Sequence, residues 1–199
     1  MLFRSFRHNP FTIYPTHRMI RVGATHASPL QLLRQKGILK KVGTVGAVLS
    51  HLSKPRVGAH LRVRPRMGGY LGPPLRYDFG VYTKKDGFFI LTLNDCRSEN
   101  IVDKLDVAVL HKHIIAPCFG IRSIEKSDKI DFTRDPEVAC RNVEKGLFDI
   151  AIFLRPTSLE EMIEVSKKGL KMPQKSTYFY PKLLSGLVFH RFEKVLRDP

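Results

Sequence analysis

The sequence predicts an α/β fold, a layered mixed sheet with flanking helices in the order ββαβαβαββ from residue 78 onward. Three observations carry that prediction. A strong hairpin signal opens the region: Phe79–Thr83 and Phe88–Leu93 are β-favouring runs separated by Lys84-Lys85-Asp86-Gly87. Helical patterns with start and stop signals then alternate with short apolar runs. The apolar run Phe148–Leu154 (FDIAIFL) reads as a strand covered on both faces.

Each element has a local reason. Leu105, Val109, Leu110 and Ile114 are spaced for an amphipathic helix, which Asp103 or Asp106 would cap and Pro117 would end. Ile130–Phe132 reads as a brief strand. Asp135-Pro136 places a capping carboxylate before proline at the first helical position, and Gly146 stops that helix. Thr157 with Glu160 forms an expected capping box. The helix behind it would turn Leu159, Met162, Ile163 and Val165 inward and end at Gly169 after Lys167 and Lys168. Thr177–Tyr180 and Gly186–His190 read as closing strands. Strands joined by helices are expected to pair in parallel where they are neighbours.

Charge divides the chain at Asp78. Residues 1–77 hold 14 Lys and Arg and no Asp or Glu, so they contribute +14. Residues 78–199 hold 20 Lys and Arg against 18 Asp and Glu, so they contribute +2 of the +16 total. Within the basic segment, Ile13-Tyr14 and Met19-Ile20 read as strand around Pro15, and Pro29–Leu39 as a short helix. Residues 42–76, rich in Gly, Pro and Arg, read as irregular and poorly ordered. An acid-free run of this kind implies a nucleic-acid-binding arm, a transit peptide, part of a phosphate site, or a misread gene.

At 43% hydrophobic and 26% charged, the chain has a globular balance and can bury a core without staples. No apolar run reaches the roughly 20 residues that span a bilayer, so no membrane partner is expected. Cys96, Cys118 and Cys140 fit neither a metal pair nor a redox pair, which points to a reducing, cytoplasmic compartment. His111 and His113 lie two apart on a helical pattern and point apart, so no metal site is assigned. The oligomeric state is not readable.

The densest functional text is Met172–Lys182, MPQKSTYFYPK. Lys175 and Lys182 offer point charges for phosphate, while Ser176, Thr177, Tyr178 and Tyr180 offer hydroxyl donors. Simple core closure by the aromatic residues is the competing reading. The stretch is not a P-loop, because no glycine-rich run precedes Lys175-Ser176. Pro15-Thr16-His17-Arg18 supplies a second candidate, with His17 as acid or base and Arg18 as an anion clamp; a solvated basic edge is its alternative. Arg155, directly past the buried strand, could face a ligand crevice or pair with Glu160 or Glu161.

These stretches resemble one family. Phe153–Thr157, MPQKSTYFYPK and Ser185–Val188 look like the carboxyl end of the family called domain of unknown function 1015. Leu105-Asp106-Val107 with Leu110-His111, Phe79–Tyr82 and Tyr14–Arg18 support the likeness, which covers 78–192 and about ten residues near His17. Members are roughly twice this length. Their amino half carries an Asp-Gly-His-His-Arg stretch similar to one in ParB-like nucleotide-binding proteins and free-serine kinases.

The resemblance implies phosphotransfer to a small molecule from a nucleotide, ATP or ADP with Mg²⁺. Lys175, Ser176, Tyr178 and His17 would be catalytic; Arg18, Arg155, Thr177, Tyr180 and Lys182 would bind phosphate or substrate. Asp-Gly-His-His-Arg is absent here, and the text departs from the family between Thr25 and Arg76. The expectation is therefore an incomplete chain, inactive alone. The alternative is a nucleic-acid-binding protein acting through residues 1–77.

Overall fold

The computed structural model describes residues 12–22, 28–54, 76–94, 96, 98, 100–180 and 186. It shows an α/β fold in which helices cover both faces of a six-stranded sheet. The elements are β1 (Thr12–Tyr14), β2 (His17–Ile20), α1 (Pro29–Arg34), β3 (Ile38–Val42), α2 (Val45–Leu52), β4 (Arg76–Thr83) and β5 (Gly87–Asn94). After these come α3 (Asp106–Leu110), α4 (Ala116–Phe119), β6 (Ile130–Thr133), α5 (Pro136–Glu144), β7 (Ile150–Phe153), α6 (Leu159–Lys167) and β8 (Tyr178–Tyr180).

The sheet order is β3-β5-β4-β7-β2-β6, and β1 pairs separately with β8. From residue 78 the order ββαβαβαβ matches the sequence reading; the ninth piece, Gly186–His190, falls mostly outside the described residues. Every described pairing is antiparallel. The parallel pairing expected of neighbouring helix-joined strands has no instance among the described residues, because no two such strands are neighbours; for β6 and β7 the cause is β2. It inserts between β6 and β7 and runs against both, so the two helix-linked strands never meet. The sheet thus draws strands from both sides of the charge boundary at Asp78.

Strand alternation sorts the core into two layers. Tyr77, Phe79, Val81, Ile150, Ile152 and Ile20 face one side, where α1 and α3 cover them with Leu30, Leu33, Val109 and Leu110. Tyr82, Ala151, Phe153 and Met19 face the other, under α2 and α5, with Val48, Leu52, Ala139 and Val143. Gly80 permits this second contact. A Cβ there would lie 2.1 Å from Val48 Cγ1 and 3.0 Å from the Phe153 Cβ.

Local signals fixed some helix ends and missed others. Asp135 accepts the Glu137 and Val138 N–H groups, and Gly146 adopts a left-handed φ of 74°, as the sequence predicts. The helix after Leu105 does not end at Pro117. It widens into a π turn over His111–Ile115, with the Ala116 N–H donating to the His111 carbonyl, and it ends at Gly120 (φ 69°). Helix α1 stops at Arg34, and β3 begins at Ile38. Helix α2 forms where irregular text was expected: Thr44 caps it through the Ala47 N–H, and Val48 and Leu52 bury its inner face. The rest of that text, residues 55–75, lies outside the described residues.

The capping box of α6 is Ser158 with Glu161, one residue later than expected. Of the residues expected to turn inward, Val165 is buried and Met162 half-buried, while Leu159 and Ile163 are exposed.

Gly80→Ala tests the packing of α2 on the sheet. Overpacking predicts a loss of about 1–3 kcal/mol, read from the urea midpoint. Gly43→Ala adds a methyl group that meets nothing within 4 Å and should stay within about 0.5 kcal/mol of wild type. Equal midpoints for the two variants would refute the close α2–β4 contact.

Candidate functional site

Strand register gathers the polar residues at one end of the sheet. His17 lies opposite Thr133, Arg18 opposite Ile152, Gly80 opposite Phe153, and Asp78 opposite Thr92. The starts of β2 and β4 therefore share an edge with the ends of β5, β6 and β7. Continuing the β4–β7 register by two residues brings Arg155 to Asp78.

Two clusters occupy this edge. In the first, Asp78 is 7% exposed and collects four partners. Thr92 Oγ1 donates to Oδ1 at 2.6 Å and Arg76 Nε at 3.0 Å. His51 Nε2 lies 3.1 Å and Arg155 Nη2 4.0 Å from Oδ2. Burial would raise the Asp78 pKa, but hydrogen bonds from Thr92, Arg76 and His51 outweigh it and hold the pKa below its ordinary value. Arg155 also places Nε 3.4 Å from Asp106 Oδ2, an ion pair without hydrogen-bond alignment, and donates from Nη1 to the Lys54 carbonyl at 3.1 Å. Its acidic partners are thus Asp78 and Asp106, in place of the expected Glu160 or Glu161.

The second cluster joins the two family-like stretches. Arg18 is 1% exposed. Its Nη1 donates to the Thr16 carbonyl and its Nη2 to the Lys175 carbonyl at 3.1 Å. The guanidinium carbon lies 5.4 Å from the centre of the Phe132 ring, and Lys175 Nζ lies 6.0 Å from the same centre. Burial lowers the Arg18 pKa to about 10, low for an arginine yet charged at neutral pH. Arg134 stacks over Tyr178 at 4.9 Å.

Lys175 is exposed, with a φ of 53°, the left-handed region that L residues rarely adopt. Two hydrogen bonds hold the loop in that shape: Arg18 on the Lys175 carbonyl, and Thr157 Oγ1 on the Ser176 carbonyl at 3.0 Å. The one-residue shift of the α6 cap frees Thr157 for this anchoring role. Ser176 is buried, while Thr177 and Tyr178 are half-buried.

His17 is not on a solvated edge. It is 1% exposed and packs edge-on against Phe153 at 5.2 Å, and its Nδ1 accepts the Leu154 N–H at 3.4 Å. Burial first, then the charge of Arg18, lowers its pKa to about 4 against a smaller opposing effect of Asp135.

The structure thus brings His17, Arg18, Thr157, Lys175, Ser176 and Tyr178 into one neighbourhood, with Arg155 at the adjoining cluster. Tyr180 lies in β8 opposite Thr12, and Lys182 lies outside the described residues. Sequence reading missed Phe132, Arg134, Asp78, Asp106, His51 and Thr92 as site residues. The one available signal was Asp78, an acid directly before a β-favouring run.

No family model matches the chain, and no curated protein matches it either. Solved structures do. A free serine kinase in complex with AMP is 12% identical, over 88% of this chain and 56% of that one, with a TM-score of 0.45. A mutant of a free serine kinase in complex with ADP is 14% identical over the same shares, with a TM-score of 0.44. A conserved hypothetical protein from Pyrococcus furiosus is 10% identical over 87% of this chain and 58% of that one, with a TM-score of 0.44. The chain spans a little over half the length of these proteins.

Burial of neutral His17 makes stability depend on pH. Its folded pKa of about 4 lies below the ordinary 6.5, so its contribution is complete above 6.5. It is lost as pH falls towards 4, because the unfolded chain takes up the proton first. The loss is on the order of 3 kcal/mol. His17→Asn keeps an acceptor for Leu154 and cannot titrate. Its unfolding free energy should fall less steeply than wild type across this window, and parallel curves would contradict the assignment.

Proposed function

We propose that this chain is the carboxyl half of a nucleotide-dependent phosphotransferase acting on a small molecule, of the free-serine-kinase type. The observation that carries the reading is the meeting of the Pro15–Arg18 stretch with the Lys175–Tyr178 loop, through the Arg18–Lys175 hydrogen bond and the pairing of β1 with β8. The two stretches that resemble one family far apart in sequence are neighbours in space. Their meeting point supplies what phosphoryl transfer needs of a protein, fixed positive charge and a rigid support.

In this reading Lys175 contributes a mobile point charge, and Arg18 holds the loop backbone while facing the transferred charge. Ser176, Thr177 and Tyr178 line the loop. His17 acts as a neutral support for the turn out of β7, since its Nδ1 is committed to Leu154. Arg155 anchors rather than binds, since Asp78 and Asp106 hold it. A nucleotide's phosphates fit the Arg18–Lys175 neighbourhood, and a bound nucleotide would supply the transferable phosphoryl group.

Mg²⁺ does not fit the carboxylates of this edge. Both oxygens of Asp78 are engaged, and Asp106 faces Arg155. No group of three potential ligand side chains gathers among the described residues. The nucleic-acid reading has less support, because Arg18 of the basic segment is buried in the sheet.

The test is turnover by the complete native protein with serine and ATP or ADP. Lys175→Met should lower kcat/KM by about a hundredfold, the scale of removing one positioned charge donor. Unchanged turnover together with unchanged nucleotide affinity would remove Lys175 from the site.

A further inference from the structure

We infer that Arg18 and Lys175, gathered around the ring of Phe132, form a receptor for a phosphate dianion. The inference rests on the reading above and deepens it by naming the ligand group and the residues that take it.

Arg18 is the starting point. A guanidinium has five N–H donors, and Arg18 uses two of its nitrogens on the Thr16 and Lys175 carbonyls. Its Nε–H is buried without an acceptor among the described residues. No carboxylate among them is ion-paired with Arg18 or Lys175. A buried cation without a counter-charge is costly to keep. The partly buried Arg155 at this edge shows the usual solution, with both Asp78 and Asp106 within 4.0 Å.

Charge balance then selects the ligand. Arg18 and Lys175 approach one ring, and the quadrupole of a single phenyl group offsets only a small part of two positive charges. A dianion matches the pair; a monoanion leaves one charge over. The carboxylate that follows β6, Asp135, already caps α5 through the Glu137 and Val138 N–H groups. Tetrahedral phosphate also suits the donor types, a directional fork from Arg18 and an adaptable ammonium from Lys175. The left-handed backbone at Lys175 belongs to the same construction. It turns the carbonyl towards Arg18 and leaves the side chain free to reach Phe132.

The experiment is a titration of the intact chain with inorganic phosphate, by calorimetry and thermal unfolding, against potassium chloride at equal ionic strength. Wild type should bind phosphate with one site and unfold at higher temperature in phosphate than in chloride. Lys175→Met removes an exposed side chain and should fold normally, with affinity at least about tenfold weaker. Lys41→Met, on the far edge strand β3, should match wild type. Arg18→Met should abolish saturable binding; if it does not fold, the Lys175 and Lys41 pair still decides. Equal shifts in phosphate and chloride, or equal weakening by the two lysine variants, would overturn the proposal. No turnover is required, so phosphate binding without phosphotransfer by the complete protein would sink the enzymatic reading alone. Failure of this binding in a protein that does turn over would sink only the assignment of Arg18 and Lys175.

Discussion

Strand β7 lies between β4 and β2 and is antiparallel to both, and its two registers set the partners of Arg155 and His17 at the sheet edge. Against β4, the register sets Arg155 beside Asp78. Against β2, it sets the Leu154 N–H beside His17 and leaves Arg18 directed towards Phe132 and the Lys175 loop. Because side chains alternate faces, a one-residue slip would move each of these groups to the wrong layer. The buried run Ile150–Phe153 resists that slip, since its residues pack on alternate faces into two apolar layers.

Two arginines stand on this frame, Arg18 buried and Arg155 partly buried, and their settings differ in kind. Arg155 is neutralised and ties together β4, the start of α3 and the chain after α2. Thr157, two residues on, fastens the loop at Ser176. Arg18 is satisfied only by carbonyls and a ring face. The first arrangement is an internal brace that keeps the loop in place. The second leaves a charge with no carboxylate partner among the described residues, close to the loop's exposed lysine.

What could be read from the sequence was mostly what is local in the chain. The Asp86-Gly87 hairpin, the Asp135-Pro136 helix start, the glycine stops and the apolar run of β7 are each written within a few residues, and each appears in the structure. The prominence of MPQKSTYFYPK was legible too, as a cluster of lysines and hydroxyls after a helix end. The antiparallel order was not, because it depends on β2 crossing to a partner far along the chain. Nor were the roles of Asp78 and Asp106, which read as the charge boundary and one of two possible helix caps; the β4–β7 register brings Arg155 to Asp78, and its Nε also approaches Asp106. The α6 cap moved by one residue because Ser158 and Thr157 are both good caps. Only tertiary contact with Ser176 decides which one turns inward.

If Arg18 carries charge for a ligand while Arg155 is committed to the fold, a crystal structure of the intact chain grown with phosphate or ADP should show it. A phosphate group is expected between the Arg18 guanidinium and the Lys175 ammonium beside Phe132, with the Arg155 contacts to Asp78 and Asp106 unchanged. A phosphate held by Arg155 with Asp78 displaced, and Arg18 untouched, would contradict it.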